Sequence, residues 1–282
     1  MTGASGFVGT HLRRGFKAKG WNIIPLGRKE LSLPSADLAG IMRPADCIIN
    51  LAGAPVINRW TEEYKKTIYR SRVALTAKLV SACGLLTPKP RVLLSASAVG
   101  CYAETGSHTE ADHRLARGFL ADLVRDWERE VFRARNLGIR TAAFRFGVVL
   151  GPDGGALAKM ITPFKLGLGG VLGTGRQPFS WIHIQDLVRV FATAIDDPGY
   201  EGVYNLTAPQ PTTNAGLTRA LGRALGRPTI LPVPLFVLRL LFGEGAQVLT
   251  SGQAVIPQRL LDAGFQFEFV TIDEAVADCV GS

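Results

Sequence analysis

Along the first half of the chain, short apolar runs alternate with longer stretches of helical periodicity. Residues 21–26 and 47–51 are strand candidates, the second an almost unbroken apolar run, and 91–94 and 140–146 repeat the pattern. Between them, residues 9–19, 61–83 and 117–136 have helical spacing. Gly20 and Gly84 directly follow the first two, and Gly138 lies just past the third. Glycine enters the left-handed conformation cheaply and so ends helices. Strands this short and apolar, separated by helices, predict a parallel sheet covered on both faces. The right-handed crossover rule makes it a doubly wound, Rossmann-type α/β domain.

Beyond Pro152 the punctuation changes. Glycine and proline become dense through residues 154–175, followed by a strand at 181–184 and a helix at 186–195. A strand at 202–206 and helices at 214–225, 235–242 and 273–280 complete the pattern. Residues 1–152 are therefore expected to form the Rossmann domain, with parts of 176–210 returning to it. Residues 153–282 form a smaller C-terminal α/β lobe. The helix at 235–242 suits either a core element or a self-association face, so a homo-oligomer stays open.

Composition narrows the class. With 47% hydrophobic residues the chain has material for a large core, and no apolar run reaches the ~20 residues of a membrane span. With a glycine-rich turn already at Gly3, no signal peptide is expected. The four cysteines are widely spaced with no C-x-x-C pair, which fits a reduced, intracellular and cytoplasmic setting. His11, His108, His113 and His183 lack ligand-like spacing, so no metal is expected. His108 and His113 read as solvated loop residues, and His183 as the carrier of a structural hydrogen bond. The net charge of +9 is spread over many segments without a zinc-finger, RRM or basic-zipper pattern. A basic protein holding an anionic small molecule explains it better than nucleic acid does.

The chain opens Thr2-Gly3-Ala4-Ser5-Gly6-Phe7-Val8-Gly9, a T-G-x-x-G-x-x-G turn entering a helix. One glycine permits the turn, one admits a pyrophosphate to the backbone, and one lets helix and strand pack closely. Gly3, Ser5, Gly6, Phe7 and Val8 are thus the expected cofactor contacts, with the helix N-terminus facing the phosphates. Only Met1 precedes the motif, so the first, central strand is expected to be missing from this stretch and to lie upstream, with replacement by another segment the less favoured alternative. The second strand ends Leu26-Gly27-Arg28-Lys29. NAD users place an acid there, whereas a guanidinium suits a 2′-phosphate, so Gly27 and Arg28 point to NADP with Glu30 dissenting. Asp186 is expected to cap the helix that follows it.

The sequence T-G-A-S-G-F-V-G resembles the extended short-chain dehydrogenase/reductases, the class that includes sugar-nucleotide epimerases. Asn50-Leu51-Ala52-Gly53, Ser95-Ala96-Ser97-Ala98, Arg145 with Gly151-Pro152, the segment Trp181 to Asp186, and Tyr204-Asn205 extend the match. Arg70-Ser71-Arg72, Pro152-Asp153-Gly154-Gly155, Gly167-Leu168-Gly169-Gly170 and Pro257-Gln258-Arg259-Leu260 are similar to one atypical branch. Its members are termed "epimerase family protein", some of them cell-division-inhibitor-like. The resemblance implies cofactor contacts from Leu51, Ala52, Gly53, Leu120 and Arg72, the last also readable as a surface salt-bridge residue.

It also implies a Ser, a Tyr and a Lys four residues after the Tyr, which exchange a proton with substrate. Ser97 holds the first position. No tyrosine is followed four residues later by lysine. Counting back from Glu128 puts Leu120 and Val124 at the Tyr and Lys positions, leaving Tyr102 as a candidate proton donor in another geometry. Phe179 and Val148 stand where sugar-nucleotide epimerases carry an Arg and an Asn, which argues for a more apolar substrate. Three readings follow. They are an NADP-dependent oxidoreductase acting on a small, fairly apolar carbonyl or alkene, a non-catalytic NADP(H)-binding regulatory or assembly protein, and, with least support, an epimerase.

Overall fold

The computed structural model describes residues 1–112, 115–230 and 232–281. The opening turn runs into helix α1 (Phe7–Ala18), then two short helices, α2 (Arg28–Ser32) and α3 (Ser35–Met42). Strand β1 (Cys47–Asn50) leads to α4 (Glu62–Tyr69), a π-helical turn (Arg70–Ala74) and α5 (Leu75–Gly84). There follow β2 (Val92–Ala98), β3 (Ser107–His108), α6 (Phe119–Phe132), β4 (Arg140–Phe146) and β5 (Val148–Leu150). Next come α7 (Gly155–Lys165), β6 (Pro178–Phe179), β7 (Trp181–His183), α8 (Ile184–Asp196), β8 (Gly202–Leu206) and β9 (Thr212–Thr213). The chain ends with α9 (Asn214–Leu225), α10 (Leu235–Phe242), α11 (Gln247–Thr250), β10 (Ala254–Val255), α12 (Gln258–Asp262) and α13 (Ile272–Gly281).

Strands β1, β2, β4 and β8 form a parallel sheet in that order, in a register that pairs Ile49 with Leu94 and Phe144 with Tyr204. Their side chains are mostly apolar on both faces, which are both covered, with buried polar residues such as Asn50, Ser97, Arg145 and Asn205 toward the carboxyl ends. One core gathers Leu12, Phe16, Phe144, Phe191 and Leu206, and the other Leu38, Ile48, Leu79, Leu93 and Trp127. The central position is not vacant. Thr2 bridges Leu26 on one side and Asn50 on the other, both in parallel. The Thr2 N–H donates to Ile49 O at 2.9 Å and the Leu26 N–H to Met1 O at 2.8 Å. Met1 and Thr2 occupy that position, and the Met1 amino group donates to Ile24 O at 2.8 Å. Residues 21–25 form no regular strand, and Leu26 alone of the expected run is bridged.

The second lobe has a core of its own around Leu157, Trp181, Leu217 and Val276, built by α7, α9 and α13. Strands β5 and β7 pair in parallel, β6 and β9 antiparallel. Helix α8 packs into the first core and β8 pairs with β4 in the main sheet. The tail joins them, since Leu260 of α12 is fully buried in the first core and Arg259 donates to Val203 O at 2.7 Å. Two local expectations are corrected. The N-cap of α8 is His183, whose ring accepts from the Gln185 N–H. Asp186 lies inside the first turn, wholly buried, and accepts from the N–H groups of Glu268 and Phe269 at 2.9 and 3.0 Å. His108 is buried in β3, which pairs with β10, so it is no solvated loop residue. His113 lies outside the described residues. Among those residues no helix is long and apolar enough to cross a membrane, and the four cysteines are free.

Candidate functional site: a dinucleotide cradle beside a closed polar network

The sheet order turns at Thr2, with Leu26 to one side and β1, β2, β4 and β8 to the other. Crevices at such a turning point, beyond the carboxyl ends of the strands, are where open α/β sheets take ligands. Here the crevice is floored by the Gly3–Gly6 turn. Gly3 sits at φ +64°, and a Cβ on it would meet the Leu51 carbonyl at 2.8 Å. A Cβ on Gly9 would collide with Gly3 O. No side chain caps α1 at Gly6, so its first-turn N–H groups around Phe7 and Val8 stay open to an anion.

A buried polar network fixes this floor. Thr2 Oγ1 donates to Asn50 Oδ1 at 2.8 Å and accepts from the N–H groups of Leu51 and Ala52 at 3.0 and 3.1 Å. Asn50 Nδ2 donates to Thr76 Oγ1 and Ser95 Oγ, and the Trp127 indole donates to the same threonine. Sequence reasoning named Asn50 only within a motif and missed Thr76 and Trp127 altogether. Both lie far from Asn50 along the chain, and nothing in local spacing joins them.

Two arginines flank the crevice. Arg28 opens α2, is exposed, and makes no hydrogen bond or ion pair among the described residues. Glu30, which dissented from the NADP reading, is engaged locally, because its carboxylate accepts from the Gly27 N–H at 2.8 Å. Arg72, on the π-helical turn, is half-buried with no carboxylate against it. Its guanidinium packs on Gly53, donates to Ala54 O at 3.0 Å, and lies 5.5 Å from the centre of the Trp127 ring. Burial pulls it down to about 10. A cation this far out of water without a counter-charge is costly, and an anion in the crevice relieves that cost.

Farther along the same strand ends the polar groups are all engaged. Ser97 Oγ, 3% exposed, donates to Glu128 Oε1 at 2.6 Å. Arg145 grips the same carboxylate through Nε and Nη2 at 2.8 and 2.7 Å and gives Nη1 to the Tyr102 hydroxyl at 2.8 Å. That hydroxyl donates onward to Asn205 Oδ1 at 2.9 Å. Tyr102 is wholly buried, stacked on His108 at 5.1 Å, and burial pushes its phenol up to about 12. Val124, at the expected Lys position, packs with Cys101, Tyr102 and Val255 in a small apolar cluster. Leu120, at the Tyr position, is half-buried beside Gly100. Val148 and Phe179 are half-buried against the lobe's core.

The model of the NAD dependent epimerase/dehydratase family matches residues 1–207. The chain belongs to that family. A second model, a domain of unknown function (DUF1731), covers residues 233–279 of this epimerase-family chain. An Arabidopsis thaliana protein, the chloroplastic homolog of epimerase family protein SDR39U1, is 40% identical over 295 residues, 98% of this chain and 84% of its own. The crystal structure of human epimerase family protein SDR39U1 (isoform 2) with NADPH superposes with a TM-score of 0.89 at 33% identity. The match spans 100% of this chain and 98% of that one. A Corynebacterium glutamicum structure described as a nucleoside-diphosphate sugar epimerase gives 0.82 at 30% identity, over 99% of this chain and 57% of that one.

The one grouping of metal-ligand types among the described residues lies elsewhere, where atoms of His183, Asp278 and Cys279 come within 4.8 Å of one another. Widely separated positions hid it from the sequence. His183 Nδ1 accepts from a backbone N–H, which places the neutral ring's proton on Nε2, 3.2 Å from Asp278 Oδ2. That tautomer leaves Nε2 protonated, with no lone pair for an ion.

Proposed function

We propose that this epimerase-family protein binds NADP(H) in the crevice at Thr2 and acts as an oxidoreductase on a small, fairly apolar carbonyl or activated alkene. The observation that carries the reading is the contrast between an open α1 N-terminus flanked by an unpaired Arg28 and a Ser97–Tyr102 network with no free hydroxyl. The residues present fit the cofactor, since Gly3 and Gly9 let the turn pack backbone against backbone and no side chain caps the N-terminus of α1. The dinucleotide, when bound, supplies the hydride. The chain supplies the rest. The Gly3–Val8 turn and α1 hold the pyrophosphate, Leu51, Ala52 and Gly53 form a wall, and Arg28 meets a 2′-phosphate with Arg72 as a second phosphate contact. Leu120 presents an apolar surface where related enzymes place a phenol, so the proton comes from water rather than from a side chain.

Engagement of Ser97 and Tyr102 by neighbours also favours a second reading, a cofactor-binding protein without turnover. One experiment separates the two. NADPH and NADH are titrated by fluorescence, and NADPH oxidation is then followed over a panel of apolar carbonyls and alkenes. NADPH is expected to bind more tightly, and Arg28→Ala to weaken it about 10- to 100-fold while leaving NADH unchanged, as loss of a charge-assisted bond of about 1.5–3 kcal/mol requires. Tight NADPH binding with no turnover supports the second reading. Binding of neither dinucleotide overturns both, and conversion of a nucleotide sugar overturns the argument from Phe179 and Val148.

A further inference from the structure

The cations are spread along the chain, but the acids are not. Residues 154–185 and 202–243 contain seven Lys and Arg and not one Asp or Glu, so most of the +9 charge arises in these two segments. Six of the nine large exposed apolar side chains among the described residues fall in the same stretches. Leu166 and Leu168 are 70% and 61% exposed, Ile230 83%, and Phe236, Leu240 and Leu241 of α10 and its end are 70%, 75% and 59%. The fold brings the two segments side by side. Leu172 and Val233 form a parallel bridge, and the Val233 N–H donates to Val171 O at 2.8 Å. On α10, Phe236, Arg239 and Leu240 fall at i, i+3 and i+4 on one outward face, while Leu238 points to the interior.

We propose that this face of the C-terminal lobe is a peripheral docking surface for an anionic lipid bilayer. Apolar side chains standing out of a protein are costly in water, and clusters of them mark interaction sites. Their companions identify the occupant. Lys159, Lys165, Arg176, Arg227 and Arg239 share these two segments with them, and the first acid past α10, Glu244, is paired with Lys65 at 2.7 Å. This is the composition of surfaces that lie on anionic headgroups with leucine and phenylalanine dipping below. A second copy of the chain docking through the same face would set these positive charges against themselves. Helix α10 is too short to span a bilayer, so the contact lies in the interface plane.

The test is co-sedimentation of the full chain with vesicles of phosphatidylcholine containing a quarter phosphatidylglycerol, against vesicles of phosphatidylcholine alone. Binding is expected on the anionic vesicles and is weakened by added salt. Arg239→Gln should lower the partition about fivefold, the factor equivalent to about 1 kcal/mol for one cation near the surface. Phe236→Ser with Leu240→Ser should lower it at least about tenfold. Both apolar positions are exposed, so thermal unfolding should be unchanged, and the arginine variant keeps the test valid if the double variant unfolds. The pair Arg13→Glu and Lys17→Glu, on the exposed side of α1, should leave binding unaltered. No sedimentation with anionic vesicles overturns the proposal. So does binding lost only on the α1 variants, and so does a dimer, detected by light scattering, that disperses when Phe236 and Leu240 are changed.

Discussion

At Thr2 the entry to α1 leaves its backbone N–H groups open, whereas along the same strand ends Ser97, Glu128, Arg145, Tyr102 and Asn205 bond one another. Both regions are polar, partly buried and built on rigid elements. Only the first has unused donors aimed at space. The second would attract attention by its shifted phenol and its buried ion pair, yet structural networks shift proton affinities as readily as active sites do. An unspent hydrogen-bonding group marks a ligand site better than a dense cluster of satisfied ones.

The comparison can be broken from the closed side. Glu128→Ala leaves Arg145 buried without its counter-charge and should cost about 3–5 kcal/mol, read as a lowered urea midpoint. A cost under about 1 kcal/mol would show that water reaches the network and that it is not closed. From the open side, Gly9→Ala drives a methyl into Gly3 O. It should cost about 1–3 kcal/mol by overpacking and remove NADPH binding in the same titration, and unchanged affinity would displace the cradle from the Thr2 crevice. The smallest effect is expected of Ser97→Ala, about 1 kcal/mol of stability with cofactor affinity unchanged. A loss of turnover beyond what that destabilisation explains would return Ser97 to the chemistry.

Most of the architecture was legible because it is written locally. Apolar runs at β1 and β4, helical spacing in α6 and α9, and the left-handed glycines Gly20 and Gly138 needed no knowledge of partners. Gly84, expected as a stop, is instead the last residue of α5 itself. The misreadings concern bonds that close over distance. Residues 21–26 have a strand's composition, but a ladder needs paired backbones, and only Leu26 is bridged, to Thr2. Asp186 has a cap's residue type, but its carboxylate is claimed by the backbone at 268–269. The glycine turn and Arg28 were visible as a motif. The Thr2–Asn50–Thr76–Trp127 network beneath them was not, since each member is an ordinary residue until the fold assembles it. Charge misled in a subtler way. A count of cations shows them everywhere, and only the positions lacking acids reveal the polarity of the lobe.

The hold of Asp186 and Leu260 on the tail bears on how the chain can be divided. The two family models meet in sequence between residues 207 and 233, which invites treating the protein as two separable modules. Materially they are dovetailed. Residues 259–269 plug the first unit's core and give its buried carboxylate two backbone N–H donors, so a chain cut at 232 would open a hydrophobic socket and leave Asp186 to Arg189 alone. The last fifth of the chain is the keystone of the first four.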